Sequence, residues 1–269
     1  MRTRLLAIDL DGTLLKQDRV PHIENVAAVR RALDSGIRVV LSSGRIAASV
    51  SSFSKLLGLD GAMICSNGGH VVGLGGTELL YIGLSPELVR MTLEYTEQVK
   101  VHINVYTRHD IFVLRDSEWL RKYRLRVTSV MPEISSLEEV YQMEVLKIIL
   151  IDEPDAIRDH YKELDTRMGG LAALTESEPE YLEVLAREAN KGHGLKVLSE
   201  SLGVRQEETA AIGDYLNDVE MVQWAGIGAA VANAIDEVKA VADIEMPSNE
   251  EAGVAKFIDY LIERNAQYL

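Results

Sequence analysis

The chain has 269 residues and a single cysteine, Cys65. One thiol cannot build an intramolecular disulfide framework or a Cys-rich zinc site. It follows apolar Met63 and Ile64, so it reads as a buried strand residue rather than a nucleophile, and a free thiol fits a reducing compartment. Basic residues are scarce as well: 28 Lys+Arg stand against 42 Asp+Glu, giving a net charge of −14. Binding a phosphate backbone needs clustered Lys and Arg, so neither nucleic acid nor an anionic membrane is an expected partner. No apolar run approaches the roughly 18 residues of a membrane span. The opening Met1-Arg2-Thr3-Arg4 precedes a short apolar run, but Asp9 and Asp11 interrupt it too early for the apolar region of an export signal. A soluble, cytoplasmic protein is expected. His22, His70, His109, His160 and His193 show no paired metal spacing and read as surface or structural. Gly73-Leu74-Gly75-Gly76 carries Glu78 where a dinucleotide-binding fingerprint needs its third glycine, so it reads as a hairpin turn. Internal repeats and low-complexity segments are missing too.

What is present is ordinary globular material. Hydrophobic content is 47% and charged content 26%, enough to form a core. The length suits one large or two modest domains. Leu5-Leu6-Ala7-Ile8 is a short continuous apolar run, as expected of a strand buried on both faces. A helix follows from about His22 and stops at Gly36. Ile37 to Leu41 reads as a strand, Ala47 to Leu57 as a helix stopped by Gly58, and Ala62 to Cys65 as a third strand. This alternation implies a parallel sheet with right-handed crossovers. The end of the chain repeats it: helix from Gly192 to Leu202, strand from Thr209 to Ile212, helix from Asp218 to Trp224, strand from Ile227 to Val231, closing helix from Val254 to Glu263. The middle differs. Ser85-Pro86-Glu87 is a strong helix start. Val101 to Tyr106 alternates apolar and polar residues, which suits a sheet covered on one side only. With Lys147 to Ile151, a helix from Asp155 to Leu164 and Tyr181 to Leu185, it forms an α+β unit. The division is core 1–83, insertion 84–187, core 188–269.

Chemistry-bearing residues gather at strand ends. Asp9-Leu10-Asp11-Gly12-Thr13-Leu14 follows the first strand, and parallel sheets bind ligands outside their carboxyl ends. A calcium loop is excluded, since Thr13, Leu14 and Val20 stand where its fifth, sixth and twelfth positions require an acid or amide, glycine and glutamate. Solvated turn acids remain the plain alternative. Ser42-Ser43-Gly44-Arg45 ends the second strand and opens a helix, so hydroxyls and amides could meet an anion; alone it would pass for a structural turn. Gly213-Asp214-Tyr215-Leu216-Asn217-Asp218 ends a later strand, where acids are also common merely as helix starts. Lys191 opens a helix after the insertion and by itself would be a surface charge.

Taken together, Asp-x-Asp-Gly-Thr, Ser-Gly-Arg, Lys and Gly-Asp-x-x-Asn-Asp, in that order, resemble the haloacid dehalogenase superfamily of phosphohydrolases, in its Cof-type branch. Asn67-Gly68-Gly69 and Val231-Ala232-Asn233-Ala234 also resemble loops of that branch. Glu188-Ala189-Asn190 departs from the lead-in expected before Lys191, and Ser43, where many relatives have threonine, keeps the hydroxyl. The resemblance implies an α/β fold: a Rossmann-like parallel sheet core with helices on both faces, plus an inserted α+β cap domain. It implies Asp9 as nucleophile, Asp11 as acid and base, and Ser43 and Lys191 as partners of the transferring phosphoryl group. A Mg²⁺ ion would be bound by Asp9, the Asp11 carbonyl and Asp214, with Asp218 in or beside the shell. Gly12, Gly44 and Arg45 would serve the phosphate, and Asn217 would either contact it or fix its loop.

Charge alone also argues for a metal. Four aspartates against one lysine leave three negative charges where a dianion must bind. Like charges at 4 Å cost about 4 kcal/mol even at an effective dielectric of 20. An oxygen-rich site with a phosphate suits Mg²⁺ better than Ca²⁺. The expected activity is hydrolysis of small phosphorylated metabolites, sugar phosphates or phosphorylated cofactors, through an aspartyl-phosphate. His102, Asn104 and Tyr106 share one strand face by two-residue periodicity and are candidates for specificity, against the alternative of a solvated face. A phosphomutase using the same intermediate is the alternative reading, and a non-catalytic phospho-ligand binder is another. A receiver-like signalling domain would carry its acceptor aspartate on a later strand, where this chain has Ser43 and Ser66-Asn67. Oligomeric state is not legible.

Overall fold

The computed structural model describes residues 1–126 and 130–268. The chain opens with β1 (Leu5–Asp9), α1 (Ile23–Asp34), β2 (Arg38–Ser42), α2 (Ala47–Leu56), β3 (Met63–Cys65), β4 (His70–Val72) and β5 (Glu78–Tyr81). Its middle runs through α3 (Pro86–Val99), β6 (His102–Tyr106), β7 (Ile111–Val113), α4 (Glu118–Arg126), β8 (Glu133–Ile134), α5 (Leu137–Val140), β9 (Lys147–Ile151), α6 (Pro154–Met168), β10 (Ala172–Glu178) and β11 (Tyr181–Ala186). It closes with α7 (Lys191–Ser201), β12 (Thr209–Gly213), α8 (Val219–Trp224), β13 (Ile227–Val231), α9 (Asp236–Val241), β14 (Ile244–Met246) and α10 (Gly253–Ala266). Two compact units result, one of Met1–Arg45, Val50–Leu80 and the chain from Asn190 on, the other of Ile46–Ser49 and Tyr81–Ala189. Among the described residues no helix is long and apolar enough to cross a membrane.

In the first unit the strand order is β14-β13-β12-β1-β2-β3-β4-β5. Strands from β14 to β3 run parallel, and β4 turns back antiparallel on β3. All five residues of β1 are buried, as the unbroken apolar run requires of a central parallel strand. Leu5 and Ala7 share an apolar cluster with Leu195 and Leu198 of α7 and Met221 of α8. Leu6 and Ile8, equally buried, alternate to the other face. There α1 packs on β2 and on α10, and α10 packs on β13 and β14. The Gly73–Gly76 stretch is the turn between β4 and β5, closed by the Gly73 N–H donating to the Thr77 carbonyl at 2.7 Å. Cys65 lies buried in β3, and burial pushes its thiol up, away from the reactive thiolate.

The second unit has strand order β10-β11-β9-β6-β7-β8, antiparallel except for the β7–β8 pair. Ile103, Val105, Ile148, Leu150, Leu182 and Val184 point to one face, in a cluster with Leu88 and Leu93 of α3 and Ile157 and Leu164 of α6. The Ser85 hydroxyl caps α3 by accepting from the Leu88 N–H at 3.3 Å. The opposite face corrects an expectation. His102, Asn104 and Tyr106 were expected on a face open on one side, yet every residue of β6 is buried. Most of their polar atoms find partners in one another, although Asn104 Nδ2 is buried without a hydrogen-bond partner among the described residues. His102 bonds Asn104 at 3.1 Å and Ser117 at 2.9 Å, and the Tyr106 hydroxyl meets that of Tyr123 at 3.0 Å. Lys147 and Glu183 form an ion pair there with side chains 1% exposed.

Removing two charges from water costs several kcal/mol per ion, and their attraction seldom returns more than that. Glu183→Leu alone strands the Lys147 ammonium and should cost roughly 3–5 kcal/mol. The double change Lys147→Met with Glu183→Leu should leave stability unchanged or higher. Urea unfolding midpoints of the three proteins check this, and a double variant as weak as the single one contradicts it.

Candidate active site

The parallel register aligns the carboxyl ends of β1, β2 and β12. Asp9 is level with Ser42, and Ile8 with Ile212. Each strand therefore delivers its following turn to one place. Asp9 ends β1 at 4% exposure. Lys191 is wholly buried and reaches both Asp9 Oδ1 and Asp218 Oδ1 with its Nζ at 2.6 Å. Its position is set by α7: Asn190 is the N-cap, its Oδ1 accepting from the His193 N–H at 2.7 Å, so Lys191 begins the first turn. The lead-in that departs from the resembled pattern thus acts as a cap.

The loop after β12 is folded by its own acids. Asp218 Oδ2 accepts from the backbone N–H of Asp214 at 2.9 Å and of Tyr215 at 3.2 Å. Thr13 Oγ1 donates to Asp214 Oδ1 at 2.7 Å. Gly12 sits at φ +86°, and a Cβ there would lie 2.3 Å from Asp214 Oδ2, so only glycine lets the two turns meet. Asn233 donates to the Gly12 carbonyl at 2.8 Å. Asn217 donates from Nδ2 to Asn67 Oδ1 at 2.9 Å.

Asp9, Asp214 and Asp218 each bring one oxygen within 4.8 Å of the others. Asp9 Oδ2 is buried and has no hydrogen-bond partner among the described residues. An all-oxygen donor set with an orphaned buried carboxylate oxygen fits a hard divalent cation. Burial first, and the Asp218 charge second, push the Asp9 carboxyl well above the usual carboxylate range, against the pull of Lys191. The same two causes push Asp214 up to about 7, opposed by the Thr13 hydrogen bond. Burial disfavours the Lys191 ammonium, but Asp218 and Asp9 more than reverse this and keep it protonated.

Asp11 departs from that group. Its carboxylate is held by Arg45 through Nε at 2.7 Å and Nη2 at 2.6 Å, a two-pronged pair. Burial alone would raise Asp11, yet the hydrogen bond and charge of Arg45 outweigh it and hold the carboxyl below its ordinary value. Arg45, expected to serve an incoming anion, is therefore engaged by Asp11. Ser43 is 1% exposed, its Oγ accepting from the Arg45 N–H at 3.1 Å, with Gly44 between them. His102, Asn104 and Tyr106 lie on β6 of the second unit. Thr13, Asn67 and Asn233 were not among the candidates, although all three fall within the quoted motifs and loops. Among the described residues no histidine joins the acidic group.

A family model described as haloacid dehalogenase-like hydrolase matches residues 6–258. The chain is 31% identical over 259 residues to a 5-amino-6-(5-phospho-D-ribitylamino)uracil phosphatase of Bacillus subtilis, covering 96% of each protein. It is 28% identical to a pyridoxal phosphate phosphatase of Escherichia coli, over 96% of this chain and 98% of that one. A solved haloacid dehalogenase-like hydrolase from Bacteroides thetaiotaomicron superposes with a TM-score of 0.84 at 27% identity, over 97% of this chain and 100% of that one.

The raised carboxylates set the sign of a pH effect. The folded protein keeps protons on Asp9 and Asp214 that the unfolded chain has released, so without metal its stability falls as pH rises toward and through about 7. A bound divalent cation favours the ionised carboxylates and offsets that loss. The gain in melting temperature on adding Mg²⁺ to EDTA-treated protein should thus be larger at pH 8 than at pH 6. Equal gains, or none, would contradict the fit.

Proposed function

The chain belongs to the haloacid dehalogenase-like hydrolases, and on that basis we propose that it is a Mg²⁺-dependent phosphatase of small phosphorylated metabolites. The observation that carries the reading is the pairing at Asp9. One oxygen is anchored by Lys191 at 2.6 Å while the other, buried, lacks a partner. A carboxylate fixed in this way is oriented for attack rather than neutralised by a full set of bonds.

In this reading Asp9 attacks phosphorus, the ester P–O bond breaks, and an aspartyl-phosphate forms. Asp11 gives its proton to the departing alkoxide, then takes one from the water that cleaves the intermediate, so its protonation reverses between steps. Arg45 keeps Asp11 ionised in the free protein. A dianionic ester competes for the guanidinium, and as that pair loosens Asp11 can take up the proton its first role needs. Ser43 and Lys191 stabilise charge on the phosphoryl oxygens, and the amides of Gly12 and Gly44 and the side chain of Asn217 complete its surroundings. Mg²⁺, held by Asp9, Asp214, Asp218 and the Asp11 carbonyl, supplies charge neutralisation there.

The substrate class is sugar phosphates or phosphorylated cofactors. The two relatives above are named for phosphate esters of small ring-bearing molecules, which supports that choice. Residues 84–187 serve as the inserted cap between core segments 1–83 and 188–269, with His102, Asn104 and Tyr106 discriminating the organic part. The acidic net charge of −14 supports a small-molecule partner rather than nucleic acid, and the buried free thiol of Cys65 supports work in the cytoplasm.

The decisive experiment is turnover of para-nitrophenyl phosphate with Mg²⁺. Asp9→Asn should lower kcat by on the order of 10³-fold or more, and exhaustive EDTA treatment should abolish turnover reversibly. Activity undiminished by either change sinks the reading. Alanine at His102, Asn104 and Tyr106 together should alter the ranking of kcat/KM across a panel of phosphorylated metabolites. An unchanged profile removes those three from specificity.

A further inference from the structure

The turn after β3 carries backbone strain that the mechanism above does not use. Ser66, Asn67 and Gly68 follow one another at φ +50°, +53° and +85°. Left-handed backbone is disfavoured for any residue with a Cβ, although Asn adopts it more readily than most. Elsewhere among the described residues, positive-φ residues other than glycine occur singly, at Arg19, Lys100 and Ala252. The Ser66 hydroxyl is also buried without a hydrogen-bond partner. Strain and an unsatisfied polar group persist together only where the surroundings fix the conformation, and they concentrate at functional sites.

The surroundings here are three of the turns that carry the chemistry. The Ser66 N–H donates to the Arg45 carbonyl at 2.9 Å, and the Asn67 N–H donates to the Ser43 carbonyl at 3.1 Å. At Gly68 a Cβ would stand 2.0 Å from the carbonyl oxygen of Asn190, the residue that caps α7 and sets Lys191. The Asn67 side chain, 1% exposed, accepts from Asn217 Nδ2 at 2.9 Å. One strained turn therefore meets the Ser43 turn, the start of α7 and the Asp214–Asp218 loop.

We propose that Asn67 is a positioning residue: it fixes the Asn217 amide so that the second hydrogen on Nδ2 can donate to a phosphoryl oxygen of the substrate. The left-handed backbone is what aims the Asn67 side chain at Asn217 while its N–H stays on Ser43. This rests on the phosphatase reading. An amide has two hydrogens on one nitrogen, and an acceptor that takes one of them fixes the plane in which the other points. The contact serves the phosphate group in both ground and transition states, so its loss should appear in binding more than in the chemical step.

Asn67→Gly tests this cleanly, because glycine accepts the left-handed backbone and removes only the side chain. Its fold should persist, since relief of the left-handed strain offsets part of the cost of the lost hydrogen bond to Asn217, and a cooperative thermal transition checks this. In the presence of Mg²⁺, Kd for inorganic phosphate by calorimetry and KM for para-nitrophenyl phosphate should both rise about 10-fold, with kcat held within about threefold. Asn217→Ala should match it, and the double variant should be no worse than Asn217→Ala by more than about twofold. The idea is overturned if Asn67→Gly leaves Kd and KM unchanged, if it lowers kcat alone, or if its effect adds fully to that of Asn217→Ala. A native protein that neither binds phosphate nor turns over the ester overturns the phosphatase reading instead, and this inference with it.

Discussion

A lysine ammonium with no access to water holds the carboxylate cluster of the first unit together. Lys191 is charged, buried, and 2.6 Å from two carboxylates on two different loops. Taking such a group out of water is expensive, and removing either partner would leave a buried charge uncompensated. Everything around it is arranged accordingly. The Asn190 cap fixes where α7 begins, Asp218 spends its second oxygen on the amides of its own loop, and Asp9 keeps one oxygen free. With Asp9, Asp214 and Asp218 ionised against one lysine, the cluster is left two negative charges out of balance, which a single divalent cation offsets.

The acids of this site differ in environment rather than in kind. Asp9 and Asp214 are pushed toward protonation by burial and by their shared neighbour Asp218, whereas Asp11 is held ionised by Arg45. Separated protonation tendencies among nearby carboxylates are what a site needs to run nucleophilic and proton-transfer steps with one side-chain type. The protein reaches this separation with two devices, depth and one guanidinium.

Much of this was legible in the sequence, and unevenly so. The motif after β1 was readable because the apolar strand and its acids are contiguous: Leu5 to Ile8 gives the strand, and Asp9 must then fall at its end. The helix start at Ser85 announced itself through local capping chemistry, and the one near His22 only through its apolar pattern. Lys191 was readable only through resemblance, since no local pattern says that its Nζ meets a carboxylate 182 positions earlier. The Arg45–Asp11 pair was missed because it depends on strand register, which sets Asp9 beside Ser42. Periodicity assigned His102, Asn104 and Tyr106 to one face correctly but wrongly left that face open, whereas every residue of β6 is buried. The short β7, β8 and β14, and α9, are too brief to carry a periodic signal.

The position of β1 has a consequence for the order in which the chain can fold. As a middle strand it pairs with β2 nearby, but its other neighbour is β12, with Leu5 opposite Thr209. Closing so long a loop gives no reward until the last third of the chain exists. The second unit, by contrast, is built from strands lying within its own stretch of sequence. On the ribosome the later-numbered unit can therefore become ordered while the first strand, already synthesised, still waits with one edge open. Such an edge is a template for wrong pairing, and its shortness, five residues ending in an aspartate, is a safeguard during that interval.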